Sequence, residues 1–315
     1  MNILLKKILT IFIYFMRRTK NYTIQKFFVV LSNILIVNSR KSYDQYNLLE
    51  DAELKFFSQN GEDGIIDYII QKLGLKKPSF VEIGIGDYSE SNTRFLYETY
   101  YSNGLVVDIL KDLKEKVSSN VSLWRGNLHV VEKKISSENI NEILSNYANF
   151  NIDIFSIDVD GIDYWILKKI EPKISKVIIL EYNSIFGPEL EVTVPNNKDF
   201  NRTKEHYSNL YYGASLKAYI KLMEEKGYYL LGINRLRNNA FFINNDFPKK
   251  NFFKKIQEMN LIDCTDANFS ESRNIDGELS YLRDSEKINE IKNCEVINLA
   301  TSENSLFEIK DLIQD

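Results

Sequence analysis

The chain has 315 residues, 44% hydrophobic and 27% charged, with only 13 glycines and 5 prolines, which excludes collagen-like, mucin-like and disordered classes. Its formal charge of −4 is uneven: residues 1–41 carry eight basic side chains and no acid, leaving −12 on the remainder. Such an acidic body argues against nucleic acid as a partner. The two cysteines (Cys264, Cys294) and two histidines (His129, His206) suit neither a disulfide framework nor a histidine–cysteine metal centre, and point to the reduced cytoplasm.

Residues 3–16 (ILLKKILTIFIYFM) and 27–37 (FFVVLSNILIV) are apolar, but each is shorter than the ~20 residues a membrane-crossing helix needs. A basic stretch, RRTKNYTIQK, separates them, and no A-x-A-like cleavage site follows. Residues 1–41 therefore read as a basic, apolar helical segment. It either meets an anionic membrane surface, the inner face in a cytoplasmic protein, or packs on the body or on a second copy in a homo-oligomer.

From Phe56 onward, strands and helices alternate. SQNGEDG (58–64) is a polar turn, and Ile65–Leu73 a helix closed by Gly74. Phe80–Ile83 is a short apolar run suited to a buried parallel strand, Gly84-Ile85-Gly86-Asp87 a turn, and Thr93–Tyr101 a helix. A second strand, Leu105–Val107, ends in Asp108, completing a nucleotide-binding βαβ pattern. The glycine pattern is E-x-G-x-G without the third glycine of a dinucleotide site. Glu82 and Asp87 would repel a diphosphate and suit a cationic sulfonium. Asp108 is placed to accept hydrogen bonds from ribose hydroxyls.

Ile152–Ile157 reads as a buried strand running into Asp158-Val159-Asp160-Gly161, followed by a helix over Tyr164–Ile170. Lys176–Leu180 is a further strand, ending in Glu181-Tyr182-Asn183. Ligands of open α/β sheets bind beyond the carboxyl ends of strands, so Asp158, Asp160, Glu181 and Asn183 fall where chemistry is expected. Ser215–Lys226 is an amphipathic helix. The link between Tyr228–Ile233 and Ala240–Ile243 is too short for a parallel crossover, so these two strands should be antiparallel. A terminal hairpin on a parallel sheet separates the methyltransferase variant of this fold from a dehydrogenase. The expected class is α/β, a doubly wound, mostly parallel sheet with that hairpin. Its domains are 1–41 (N-terminal helical segment), 42–245 (Rossmann-like domain) and 246–315 (an appendage packed on it).

SQNGEDG (58–64), FVEIGIGDYSESNTRFL (80–96), GLVVD (104–108), FSIDVDGIDYWIL (155–167), VIILEYNSIFGPE (177–189), HYSNLYYGASLKAY (206–219), KGYYLLGIN (226–234) and NNAFFI (238–243) together resemble the FkbM-type methyltransferases and their bacterial relatives. The resemblance covers roughly 56–245, and ESRNIDGELSYL (271–282) is similar to a C-terminal extension of close relatives. Leu123–Ile135, with Trp124 and His129, departs from the pattern. The resemblance implies S-adenosylmethionine as cofactor, O-methylation of a sugar or glycan- or glycolipid-linked hydroxyl, and Glu82, Gly84, Gly86 and Asp108 in the cofactor cleft, with Asp158 opposite. A non-catalytic binding or assembly module on the same fold is the alternative.

Methyl transfer needs alignment and a base for the acceptor proton. With histidine scarce, Asp160 is the first choice, against a helix-capping role; Glu181 and His206 are the other candidates. His206 lies with Tyr207, Tyr211 and Tyr212 in an insertion, Glu189–Tyr212, that reads as a lid or acceptor platform or as a plain surface loop. The alternative is a divalent ion on Asp158, Asp160, Glu181 and Asn183. No G-x-S-x-G elbow or phosphate loop occurs. In 246–315, Asn251–Met259 reads as a helix, Glu295–Leu299 as a short strand, and 304–308 as a further short pairing.

Overall fold

The computed structural model describes residues 22–253, 261–265, 271–301 and 305–313. The expected apolar segment 3–16 and most of the expected helix 251–259 lie outside them. By internal contacts the chain divides into two units. The first takes its described residues from 1–133, 150–153 and 247–257, the second from 134–149, 154–246 and 258–315.

The first unit opens with α1 (Tyr22–Arg40), followed by α2 (Glu62–Leu73), β1 (Phe80–Ile83), α3 (Arg94–Tyr100), β2 (Gly104–Asp108), α4 (Leu113–Asn120) and β3 (Leu128–Glu132). β1 pairs with β2, and β2 with β3, both in parallel. Phe80, Val81, Leu105, Val106 and Val107 are buried, which explains why β1, apart from Glu82, and β2 read as apolar runs. The carboxyl end of α1 is fastened by Asp67, a fully buried carboxylate on α2. Arg40 donates to it twice (2.9 and 2.7 Å), Tyr43 once (2.7 Å) and Tyr100 once (2.5 Å). A forked guanidinium and two phenols meet most of the hydrogen-bonding capacity of one carboxylate, so the burial costs little.

The second unit runs through α5 (Ile140–Tyr147), β4 (Ile154–Ile157), α6 (Asp163–Lys169), β5 (Val177–Glu181), β6 (Val192–Thr193), α7 (Arg202–Glu205), α8 (Leu216–Glu225), β7 (Tyr228–Ile233) and β8 (Asn239–Asn244). α9 (Leu261–Thr265), α10 (Ser285–Glu290), β9 (Glu295–Asn298) and β10 (Leu306–Glu308) follow. β4 and β5 are parallel, whereas β8 pairs antiparallel with both β5 and β7, giving the expected terminal hairpin. β6, β9 and β10 form a separate antiparallel sheet over a core that includes Phe186, Val192, Leu210, Tyr211, Val296 and Ile309. The insertion after β5 and the C-terminal stretch therefore share one core.

The main sheet has seven strands in the order β3-β2-β1-β4-β5-β8-β7, mostly parallel. This is the doubly wound α/β class with a terminal hairpin, and the strand missing from the recognised pattern is β3. Among the described residues no helix is long and apolar enough to cross a membrane.

Candidate functional site

In the first unit the candidate is the turn after β1. Gly84 (φ +82°) and Gly86 (φ +56°) are left-handed, which glycine adopts without the Cβ clash other residues meet. A Cβ built on Gly86 would meet nothing within 4 Å, so the turn lies open there. Asp108, at the carboxyl end of β2, accepts the Gly86 amide on Oδ2 and the Leu110 amide on Oδ1, both at 2.8 Å. Two amides leave about half of a carboxylate's roughly four lone-pair sites for a ligand. Asp87 is exposed and accepts the Ser89 amide (2.8 Å). Ile109, directly after Asp108, is 63% exposed and gives the turn an apolar neighbour suited to a flat base.

Glu82 does not take the expected role. It is buried, and its carboxylate accepts the amides of Asn92 (2.9 Å) and Thr93 (3.0 Å) and the hydroxyls of Ser91 and Thr93 (both 2.5 Å). The side chain faces its own polypeptide and anchors the loop before α3. Any negative charge offered at the turn comes from Asp87 and Asp108. A second buried carboxylate works alike: Asp63 of the SQNGEDG motif accepts on one oxygen the amides of Phe56, Phe57 and Ser58 and the Ser58 hydroxyl. The two anchored loops meet where the Ser91 amide donates to the Phe57 carbonyl (3.1 Å). Burial lifts the Asp63 carboxyl to about 6 even against those donors.

In the second unit three carboxylates converge at the carboxyl ends of β4 and β5. One oxygen each of Asp158, Asp160 and Glu181 lies within 4.8 Å of the others. Asp160 is left-handed (φ +56°), a conformation that costs a non-glycine residue on the order of 1 kcal/mol. The loop is locked from both sides. Asp163 accepts the amides of Val159 (2.8 Å) and Gly161 (3.0 Å), and a Cβ on Gly161 would come within 2.3 Å of the Phe200 ring. Asp163 is thus a scaffold residue, its carboxyl lifted to about 6 by burial.

Arg202 of α7 is the cation in this cluster. It donates to Asp160 (2.6 Å) and to the Asn209 carbonyl (2.7 Å), lies 3.7 Å from Glu181, and stacks 3.6 Å over the buried Tyr212 ring. Asp158 is left with a solvent-inaccessible Oδ1 that has no hydrogen-bond partner. Burial, then the neighbouring Glu181, Asp160 and Asp163 carboxylates, push its proton affinity well above the usual carboxylate range. Glu181 is raised by burial and by Asp160 and Asp163, against the pull of Arg202. Two carboxylates at such a distance repel by on the order of 3 kcal/mol, which raises the proton affinity of the group.

The other expected site residues part from the cluster. Asn183 is fully buried. Its amide donates to the Leu210 (2.9 Å) and Tyr212 (3.1 Å) carbonyls and its oxygen accepts from Ile185, so it is a turn cap and no metal ligand. His206 bonds Ser208 (2.7 Å) and stacks on Tyr207 (4.4 Å), with its basicity lowered by burial. Among the described residues, no hydrogen bond, ion pair or ring contact joins it to the three acids. Tyr211 and Tyr212 are buried core residues, not a platform.

The remaining three acids are hard oxygen donors that suit a divalent ion in kind, but the single positive charge of Arg202 already pairs with Asp160 and lies 3.7 Å from Glu181. Arg202 was missed because it comes from an insertion 42 residues beyond Asp160, and nothing local marks it. Ile109 had a readable signal: an apolar residue immediately after a strand-ending acid at the ligand edge.

No protein-family model matches the chain, and no curated protein matches it. Among solved structures, the chain is similar to the pyocyanin biosynthetic protein PhzM (13% identity, TM-score 0.34, 56% of this chain and 53% of that one). It is likewise similar to PKMT2 from Rickettsia typhi in complex with AdoHcy (12%, 0.38, 60% and 54%) and to human N-acetylserotonin methyltransferase in complex with SAM (12%, 0.33, 58% and 53%). The chain spans about half the length of each, and no activity is inferred from likeness at this level.

Proposed function

We propose that the chain is an S-adenosylmethionine-dependent methyltransferase of FkbM type, acting on a hydroxyl of a sugar or a glycan- or glycolipid-linked acceptor. The observation that carries the reading is the open Gly84–Asp87 turn, pinned through the Gly86 amide by Asp108, in a sheet that ends in an antiparallel hairpin. Asp108 has lone pairs left for ribose hydroxyls, Ile109 offers a face for adenine, and exposed Asp87 supplies negative charge for the cationic end of the donor. The bound cofactor supplies an electrophilic methyl group on sulfur. Glu82 belongs to the scaffold of this site.

Proton removal from the acceptor is assigned to Asp158, with Glu181 as the neighbour that tunes it. Asp158 has an oxygen without a hydrogen-bond partner and a proton affinity raised above that of an ordinary carboxylate, both of which suit a general base. Asp160 is held by Arg202 and positions that side chain. His206 is assigned no catalytic part.

The test is transfer of labelled methyl from S-adenosylmethionine to acceptors in a cell extract. Transfer by the wild type that is lost in Asp158→Asn supports the proposal; no transfer to any acceptor, or an undiminished Asp158→Asn enzyme, contradicts it. One observation favours a second reading, a non-catalytic binding module: Arg202 already pairs with Asp160 and sits beside Glu181, as it would in a site whose acids no longer turn over substrate. That reading predicts cofactor binding without transfer.

A further inference from the structure

Helix α1 has two apolar faces. Phe28, Leu35 and Ile36 are buried, while Phe27, Val30, Ile34 and Val37 are each more than half exposed (54, 55, 60 and 53%). At 3.6 residues per turn these four fall within an arc of about 80° and run along about 15 Å of helix. Scattered exposed apolar residues need no explanation, but a three-four-three stripe along one face is the pattern of a docking helix. The helix is no frayed end: Arg40 and Asp67 lock it to the unit that carries it.

Charge identifies what the stripe meets. Lys6, Lys7, Arg17, Arg18 and Lys20 precede α1, Lys26 lies within it, Arg40 and Lys41 end it, and residues 1–41 contain no acid. A second copy packed through the same face would set eight positive charges against eight. An anionic bilayer complements both the apolar stripe and the basic run, and it repels the −12 remainder, which favours contact through this segment.

We propose that α1 lies flat on an anionic lipid surface, with Phe27, Val30, Ile34 and Val37 at the boundary of headgroups and acyl chains, and that the basic side chains of residues 1–41 supply the charge that attracts it there. The proposal is independent of methyl transfer. The test is flotation of the full chain with phosphatidylcholine vesicles, with and without phosphatidylglycerol, for the wild type, Val30→Gln/Ile34→Gln and Arg17→Gln/Arg18→Gln/Lys20→Gln. The wild type is expected to float with anionic vesicles only, each variant to partition at least about tenfold less, and added salt to weaken binding. Without vesicles, Val30→Gln/Ile34→Gln should melt as the wild type does. Three outcomes overturn the proposal: no flotation with anionic vesicles, flotation indifferent to the stripe variant, or a wild-type dimer that the stripe variant dissociates. A stripe variant that melts lower without vesicles also overturns it, since the face would then be covered by the chain's own residues.

Discussion

The acids of the two units are treated in opposite ways. Around the glycine turn, each buried carboxylate faces several donors: Glu82 accepts four hydrogen bonds over its two oxygens, and Asp63 accepts four on Oδ2 while its buried Oδ1 has no partner. At the ends of β4 and β5, three carboxylates share one guanidinium, and the unpartnered oxygen of Asp158, unlike that of Asp63, belongs to an acid with other carboxylates within 4.8 Å. Satisfied acids hold a backbone in shape and gain nothing from a ligand. Crowded acids raise each other's proton affinity, and an incoming hydroxyl or proton relieves them. On the proposed function, the first unit serves as a mould for a ligand, and the second as a place where a proton can change hands.

The largest effect that would break this contrast is catalytic. Asp158→Asn keeps the shape but removes the proton acceptor, and should lower methyl transfer at least about a hundredfold, measured by label incorporation at saturating cofactor. A variant within threefold of wild type would return Asp158 to the scaffold class. Next comes pH. Because Asp158 and Glu181 hold their proton above the usual carboxylate range, activity should rise as pH increases through their joint titration and plateau once the proton is gone. Glu181→Gln removes one neighbouring charge, which should move the rising limb to lower pH. A limb that does not move would disprove the coupling.

Stability gives the converse test on the satisfied side. Glu82→Ala strips four donors of their acceptor and should cost about 3 kcal/mol of unfolding free energy by denaturant titration. The chemically milder Glu82→Gln should leave cofactor affinity within a few-fold; a large loss of affinity in a folded Glu82→Gln would restore Glu82 to the ligand site. Asp63 and Asp163 sharpen the comparison. Both carboxyls are lifted to about 6 by burial, above their unfolded value, so the folded state binds protons more readily than the unfolded one between about 4 and 6. Their contribution to stability is therefore full below about pH 4 and is lost as pH rises from there through about 6. Asp163→Asn should flatten that slope in a series of melting temperatures. The smallest effect belongs to His206: His206→Gln should change the transfer rate less than about threefold, since its partners are Ser208 and Tyr207.

Much of the fold is legible along the chain because its signals are local. Apolar runs such as Leu105–Val107 and Val177–Leu180 end in acids, Gly74 closes a helix, and the short link at 234–238 dictates an antiparallel pair. The direction in which a side chain faces is less so. β1 has four residues, all buried, so no alternation tells which way Glu82 points. Only the donors of 91–93, supplied from the next loop, decide it. Arg202 escapes for a related reason: its partners Asp160 and Glu181 lie 42 and 21 positions away, and the contact exists only because the insertion folds back over Tyr212. Asn183 was read as a ligand for its position at a strand end, yet a side-chain amide there serves the turn that follows just as well.

The most direct test of the central claim is calorimetric titration of the full chain with S-adenosylhomocysteine, wild type against Asp108→Ala. A saturable heat for the wild type, weakened at least about tenfold by Asp108→Ala in a folded variant, is the predicted result. Absence of binding by the wild type, or equal binding by both, would contradict it.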